Sequence, residues 1–361
     1  MLDNYDSYKR YFEIIRYALD PVDMPVSNTK NIDWGNLYHF SQEQAIAGIV
    51  FRAVELLNDK SIDKRLLLHW FATAEQIKTQ NKILNKKSAL VVDEYKKEGF
   101  ECCILKGQGN AILYPCGYLR SPGDIDVYVK DANRKQLLQY MKRAGKRITG
   151  MHFQHIEYEE EGVPIEIHLM PCSDNNPVYH KRLQKWFKEH SATIWNNRIE
   201  LPSEAGAITA PDKEFNIIYQ LAHMKGHFFD EGIGLRQMMD YYLLLNNYSG
   251  NIFELKDDLR FLGLDRFAGA VMYIMKEVLG LDEKYLIVPV DERRGKTLLN
   301  EILKGGSFGH YSGLDQSNAL KKYFQKTWRN MQLVKEYPAE ALFEPVFRTW
   351  HFFWRQWQKY A

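Results

Sequence analysis

The sequence predicts an α+β protein: a small mixed sheet flanked by an N-terminal and a C-terminal helical region. Two observations predict it. Alternation of apolar and polar residues at the strand period gathers between residues 98 and 175, whereas apolar residues recur at the helical period on both sides of that stretch. At 361 residues the chain exceeds an ordinary single core, so two or more packed units are expected. The expected division is 1–97, a helical region; 98–175, the sheet-bearing core; and 176–361, a second helical domain.

In the N-terminal region, helical spacing runs from Tyr8 to Leu19. It returns through Leu37, Tyr38, Ala45, Ile49, Val50 and Val54 to Leu57. A long helix is then expected from about Asp63 to Lys97, with Leu67, Trp70, Phe71, Ala74, Ile77, Ile83, Leu84, Leu90 and Val91 as its apolar positions. Gly99 breaks it before Phe100.

The central stretch carries the chemistry. Phe100 to Leu105 reads as a short buried strand, Lys106-Gly107-Gln108-Gly109-Asn110 as a turn, and Ala111 to Tyr114 as the start of a helix. A strand, glycine turn and helix in succession present backbone N–H groups to an anion, and Lys106 adds positive charge. Next comes Gly123-Asp124-Ile125-Asp126-Val127-Tyr128-Val129. On a strand, Asp124 and Asp126 share one face while Ile125, Val127 and Val129 face a core. Paired carboxylates on a rigid edge suit a hard cation such as Mg²⁺, although an Asp-x-Asp also arises as a solvated edge or an Asx-turn. Asp131 is the expected N-cap of a helix to about Ala144, stopped by Gly145. His152 to Tyr158 and Val163 to Leu169 then form a hairpin, with Glu166 and His168 on one face. If that strand lies beside the Asp-x-Asp strand, Glu166 joins the two aspartates and the three hold two divalent ions about 3.5–4 Å apart.

Three runs together carry a family resemblance: Leu-Lys-Gly-Gln-Gly-Asn-Ala from Leu105, Tyr-Pro-x-Gly-Tyr-Leu-Arg-Ser-Pro-Gly-Asp-Ile-Asp-Val-Tyr-Val from Tyr114, and Ile-Glu-Ile-His-Leu from Ile165. They resemble the nucleotidyltransferases of the polymerase-β superfamily, and more closely the bacterial group called uncharacterised nucleotidyltransferases. Weaker likeness extends to Ile32-Asp33-Trp34 and to His223, Arg236 and Asp240. The resemblance implies a polymerase-β-like core in which Asp124, Asp126 and Glu166 are catalytic metal ligands. It also implies a nucleotide site at Lys106 and Gly107, with Gln108 and Arg120 beside them. The implied reaction is Mg²⁺- or Mn²⁺-dependent transfer of a nucleoside monophosphate from a nucleoside triphosphate to an acceptor, releasing pyrophosphate. Two departures stand out. Gly107 is followed by Gln108 where the superfamily usually has Ser or Gly, and the third acid is Glu rather than Asp. They leave open a nucleotide-binding or interaction module with little catalysis, or a toxin–antitoxin component.

Other residues carry two readings each. Arg120 either neutralises phosphate charge or pairs with one of the neighbouring aspartates. His168 orients a metal-bound carboxylate, acts as a base, or is a hydrogen-bonded core residue. His223 and His227 stand one helical turn apart without the Glu of a His-Glu-x-x-His helix, so packing competes with metal binding there. His223 with Arg236 and Asp240 contacts either phosphate or the acceptor, or ties helices together. The aromatic and basic run Phe347 to Tyr360 either lies on a membrane interface or packs on its own domain. Gly305 to Gly309 lacks a P-loop ending and reads as a loop.

From Val178 onward helical patterns dominate, broken near Pro202-Ser203, Asn246 to Asn251, Leu281 to Pro289 and Lys304 to Gly313. A formal charge of +2 argues against a dominant nucleic-acid surface, so the acceptor is expected to be a small molecule or a protein. Cys102, Cys103, Cys116 and Cys172 lack zinc-ribbon spacing and read as reduced thiols, with Cys102 and Cys103 on opposite strand faces. Residues 1–6 show no signal-peptide pattern and no apolar run approaches membrane-spanning length, so a cytoplasmic protein is expected.

Overall fold

A computed structural model describes residues 5–30, 32–310 and 319–358. Residues 1–4, 311–313, Lys359 and Tyr360, which bear on the expected absence of a signal peptide, the last loop and the aromatic tail, lie outside the described residues.

The N-terminal region is helical: α1 (Tyr5–Leu19), α2 (Trp34–Glu43), α3 (Ala47–Leu57) and α4 (Lys64–Lys97). Asp33 caps α2 by accepting from the Asn36 amide at 2.9 Å, and Asp63 caps α4 by accepting from Arg65 and Leu66. Ala45, with φ at 54°, turns the chain between α2 and α3. Along its 34 residues, α4 serves two cores. Trp70 and Ala74 lie in the large helical core, with the Trp70 indole donating to Ala47 O at 2.8 Å. Leu84, Val91, Val92 and Tyr95 cover the sheet.

The sheet consists of β1 (Cys102–Ile104), β2 (Ile125–Val129), β3 (Arg147–Met151), β4 (His155–Glu160) and β5 (Val163–His168), in the order β1-β2-β5-β4-β3. β2 and β5 run parallel and the other pairs antiparallel, so the sheet is mixed as expected. Ile125, Val127, Val129, Ile165 and Ile167 fill the core beneath α4 and α6 (Arg134–Arg143). Asp126, Glu166 and His168 lie on the opposite face. Cys102 enters the sheet core and Cys103 the helical core, as the strand period requires. Glu161 and Gly162, at φ 53° and 77°, make the two-residue turn that sets the β4–β5 register.

Four local expectations are corrected. β1 is shorter than Phe100–Leu105. The helix after the glycine turn, α5 (Gln108–Ala111), is one turn and ends where Ala111 to Tyr114 was expected to begin one. There the chain folds back over it at Gly117, where a Cβ would sit 2.4 Å from Ala111 O. Asp131 does not cap α6. It has φ 47°, a turn conformation, and Asn133 caps the helix through the Lys135 amide at 2.9 Å. β3 was not expected, because its first three residues are exposed and carry no apolar alternation.

The C-terminal region contains α7 (Pro177–His190), a hairpin of β6 (Arg198–Glu200) and β7 (Ala207–Thr209), then α8 (Lys213–Asp230), α9 (Leu235–Asn246), α10 (Ile252–Phe261), α11 (Asp265–Glu277), α12 (Glu292–Gly305), α13 (Ala319–Gln332) and α14 (Pro338–Gln358). The β6–β7 hairpin was not expected; it spans the break in the helical pattern near Pro202-Ser203. Its strands are too short to show a period, yet they place Leu201 and Ile208 in the sheet core. α1 and α3 share one core with α8, α9 and α11, and Arg16 Nε donates to Val278 O at 2.8 Å across it. Among the described residues, no helix is long and apolar enough to cross a membrane.

Candidate functional site

The parallel pairing of β2 with β5 sets Asp126 opposite Glu166, and Asp124 ends the loop that enters β2. One carboxylate oxygen from each of the three lies within 4.8 Å of the others. Lys106, at the end of the segment leaving β1, brings Nζ to 3.2 Å from Asp126 Oδ1 and 3.3 Å from His223 Nε2. His168, two residues beyond Glu166, places Nε2 at 3.0 Å from Asp126 Oδ1 and 3.2 Å from Glu166 Oε2.

Charges this close and this buried shift one another. The Asp126 charge, reinforced by burial, pushes Asp124 up to about 6, while Lys106 pulls the other way. Burial would raise Asp126, yet Lys106 and the His168 hydrogen bond outweigh it and hold that carboxyl below the usual range. Glu166 is likewise held low against its burial, mainly by His168. His168 itself, burial notwithstanding, is pushed up to about 9 by its bonds to Asp126 and Glu166, so it donates Nε2–H to both at neutral pH. His223 is driven well below its ordinary value by burial and then by Lys106, and stays neutral.

A second layer ties this cluster to the helices. Arg120 forms a two-pronged pair with Asp240 on α9, Nε to Oδ1 at 2.8 Å and Nη2 to Oδ2 at 2.7 Å, rather than pairing with Asp124 or Asp126. The Tyr114 hydroxyl donates to Asp240 Oδ1 at 2.7 Å. Asn110 Oδ1 accepts from Asn216 at 3.1 Å and Gln220 at 3.2 Å on α8. Arg236 donates Nη1–H to Ser121 O at 3.3 Å and to Pro122 O at 3.0 Å, which clamps the loop that delivers Asp124. Gln108 is buried with its amide donating to Asn85 on α4, so its side chain is spent on packing the glycine turn.

Two cavities meet at the cluster. One, of 40 Å³, lies among Gly107, Arg120, Arg236, Asp240 and Phe308. The other, of 570 Å³, is walled by Asp124, Glu166, His168, His223, His227 and the β3–β4 turn. Lys106 and Asp124 line both. Of the residues singled out in the sequence, Lys106, Asp124, Asp126, Glu166, His168 and His223 therefore converge. Gly107, Arg120, Arg236 and Asp240 frame the smaller cavity, and Gln108 points elsewhere.

Sequence reasoning missed Asn110 and Tyr114 as partners of α8 and α9, and His152, His155 and Glu157 as cavity residues. A short His-x-x-His-x-Glu run was the available signal for the last three. In the aromatic tail, Phe347, Trp350 and Trp354 pack on Phe153, whereas Phe353 and Trp357 are each 65% exposed.

A family model described as uncharacterised nucleotidyltransferase matches residues 30–280 of the chain. No curated protein and no solved structure matches it.

Proposed function

We propose, for a chain that belongs to the uncharacterised nucleotidyltransferase family, that it transfers a nucleoside monophosphate from a nucleoside triphosphate to a hydroxyl-bearing acceptor and releases pyrophosphate. The observation that carries this reading is the Asp126–Glu166 register across two parallel strands, with Asp124 completing a three-carboxylate group. On this reading the sheet-bearing segment, residues 98–175, is a polymerase-β-like catalytic core and the helices on either side are the walls of the acceptor site.

The residues present fit a divalent cation. Asp126 Oδ2 is buried and has no hydrogen-bond partner among the described residues, and Asp126 raises Asp124 because two carboxylates face each other with too little positive charge between them. Asp124, Asp126 and Glu166 would hold Mg²⁺ or Mn²⁺, hard ions that favour carboxylate and phosphate oxygen. When bound, such a cation neutralises charge on the phosphate oxygens and the departing pyrophosphate.

The chain's own side chains supply the rest. Lys106 presents a half-buried ammonium at the carboxylate edge, where it offsets phosphate charge. His168 fixes the orientation of Asp126 and Glu166 by donating one N–H to both. Arg236 and the Arg120–Asp240 pair hold the loop that carries Asp124. The 570 Å³ cavity falls inside the roughly 300–1,000 Å³ typical of ligand sites, and the 40 Å³ one falls far below it. The nucleotide and acceptor are therefore assigned to the Glu166 side, with Arg120, Arg236 and Asp240 as supports. Balanced net charge favours a small molecule or a protein as acceptor. Free cysteines, three of them buried, accord with a reducing, cytoplasmic setting.

The test is incubation of the full chain with labelled nucleoside triphosphates, Mg²⁺ or Mn²⁺ and candidate acceptor pools. Cation-dependent pyrophosphate release with label on an acceptor, absent in Asp126→Asn, supports the reading. A second reading, a nucleotide-binding module with little catalysis, is favoured by the closure of the glycine-turn side by Phe308 and Arg236. It predicts nucleotide binding without pyrophosphate release across all acceptors.

A further inference from the structure

The turn between β3 and β4 folds back so tightly that the His152 amide donates to His155 O at 2.9 Å. Glu157 lies two residues past His155 on the same strand face. The result is convergence on one atom. Glu157 Oε1 stands 2.9 Å from His152 Nε2 and 3.1 Å from His155 Nε2, and the two rings lie 4.6 Å apart. None of these side chains belongs to the three-carboxylate group.

We propose that His152, His155 and Glu157 form a second metal centre, of the transition-metal type and suited to Zn²⁺, on the wall of the 570 Å³ cavity. The donor set is two imidazole nitrogens and one carboxylate oxygen, which suits zinc rather than Mg²⁺. The spacing agrees. A tetrahedral ion with ligand bonds of about 2.0–2.1 Å separates its ligand atoms by about 3.3 Å, a few tenths more than the distances here. Opening the two Glu157 contacts by that amount brings them to the separation the ion requires.

Two independent features support the site. The first is an unpartnered nitrogen: among the described residues His155 Nδ1 is buried without a hydrogen bond, and it lies 3.6 Å from Glu166 Oε2. In a metal-bound imidazole the remote nitrogen carries the proton and gives it to a carboxylate, so Glu166 is the acceptor that a ligating His155 requires. The second is a preset loop. Arg134 Nη2 donates to His152 O at 2.9 Å and Phe153 O at 2.7 Å, and the Phe153 ring is wedged between Trp350 and Trp354 of α14. His152 is thus held in place before any ion arrives, which lowers the entropic cost of binding. Three protein ligands leave a coordination position open to the cavity, the pattern of zinc sites that engage a substrate. This centre does not rest on the transferase reading, because its ligands are separate.

Co²⁺ as a spectroscopic substitute tests it. The full chain, stripped by chelator, is titrated with Co²⁺ in an Asp124→Asn/Asp126→Asn background, which removes two of the three carboxylates but spares Glu166 and the histidines. The expected result is one equivalent bound with intense visible ligand-field bands. Those bands should vanish, and affinity fall by more than the roughly 10–100-fold that losing an outer partner costs, in Glu157→Gln and in His152→Ala. His152 and Glu157 are partly exposed, so both variants are expected to keep the metal-free melting temperature. Bands that persist in both variants overturn the proposal, as does the absence of Co²⁺ binding in the background protein. Failure of the transferase reading shows separately, as no pyrophosphate release by the wild type.

Discussion

Arg120 and Asp240, 120 positions apart, meet through two parallel hydrogen bonds in the protein interior, and this pair joins the loop before β2 to α9. Burial alone would penalise both charges. Asp240 is nevertheless held below the usual carboxylate range, since Arg120 and the Tyr114 hydroxyl outweigh its desolvation. Removing one partner leaves the other charge buried and unpaired, which costs about 3–5 kcal/mol. Arg120→Ala and Asp240→Ala are each expected to lower the unfolding free energy, measured by urea denaturation, by that amount. An apolar double replacement, Arg120→Met/Asp240→Leu, should recover much of the loss, and a double-mutant cycle measures the coupling.

Asp126→Asn is expected to reduce pyrophosphate release at least about a hundredfold, since it removes one of the three carboxylates that would hold the cation against the phosphates. The far-ultraviolet circular dichroism should match wild type, as the side chain lies on the sheet face opposite the α4 core. Retained turnover in a folded variant would count against the transferase reading.

Gly107 has φ 58° and ψ −110°, a conformation that a residue with a Cβ adopts only under strain. Space is not the obstacle, because an added Cβ would meet its nearest neighbour, Asp124 O, at 3.7 Å. Gly107→Ala is therefore expected to lower stability by about 1–3 kcal/mol through the backbone alone. It should also weaken nucleotide binding in a thermal-shift titration by displacing Lys106.

Burial pushes the Cys102 thiol up to about 12 from 9.0. Because the folded value is raised, the stability it contributes is complete below pH 9.0 and is lost as pH climbs toward 12. Wild type should lose more stability between pH 8 and 10.5 than Cys102→Ala does. At pH 8 an alkylating reagent should label half-buried Cys116 first, leaving the three buried thiols intact until unfolding. Equal labelling of all four in the folded protein would show the core to be looser than described.

The site was legible where strand periodicity and register decide it. Alternation around Asp126 and Glu166 set their faces, whereas the pairing of β5 with β2 that brings them together was only a condition in the sequence and is set by the fold of the sheet. Residues whose partners come from distant helices were not legible. Arg120 looks like a phosphate ligand until Asp240 is seen beside it, and Gln108 resembles part of a phosphate turn until Asn85 takes its amide. The same limit hid β3, whose exposed residues carry no apolar period, and the β6–β7 hairpin, which is stabilised by contact with β1 rather than by its own sequence. Asp131 shows a local error of another kind: an acidic residue before a helix suggests a cap, but its left-handed backbone and the following Asn133 shift the cap by two positions.

The helix α4 has a consequence for any attempt to cut the molecule down. Since one continuous rod of 34 residues, about 51 Å long, is embedded at one end in the helical core and at the other in the sheet, neither body has a complete surface without it. A fragment starting at residue 98 would bare the apolar underside of Ile104, Val127 and Ile165, so it should precipitate rather than fold. The smallest autonomous piece must begin upstream of Asp63, and heat should melt the two bodies in a single transition.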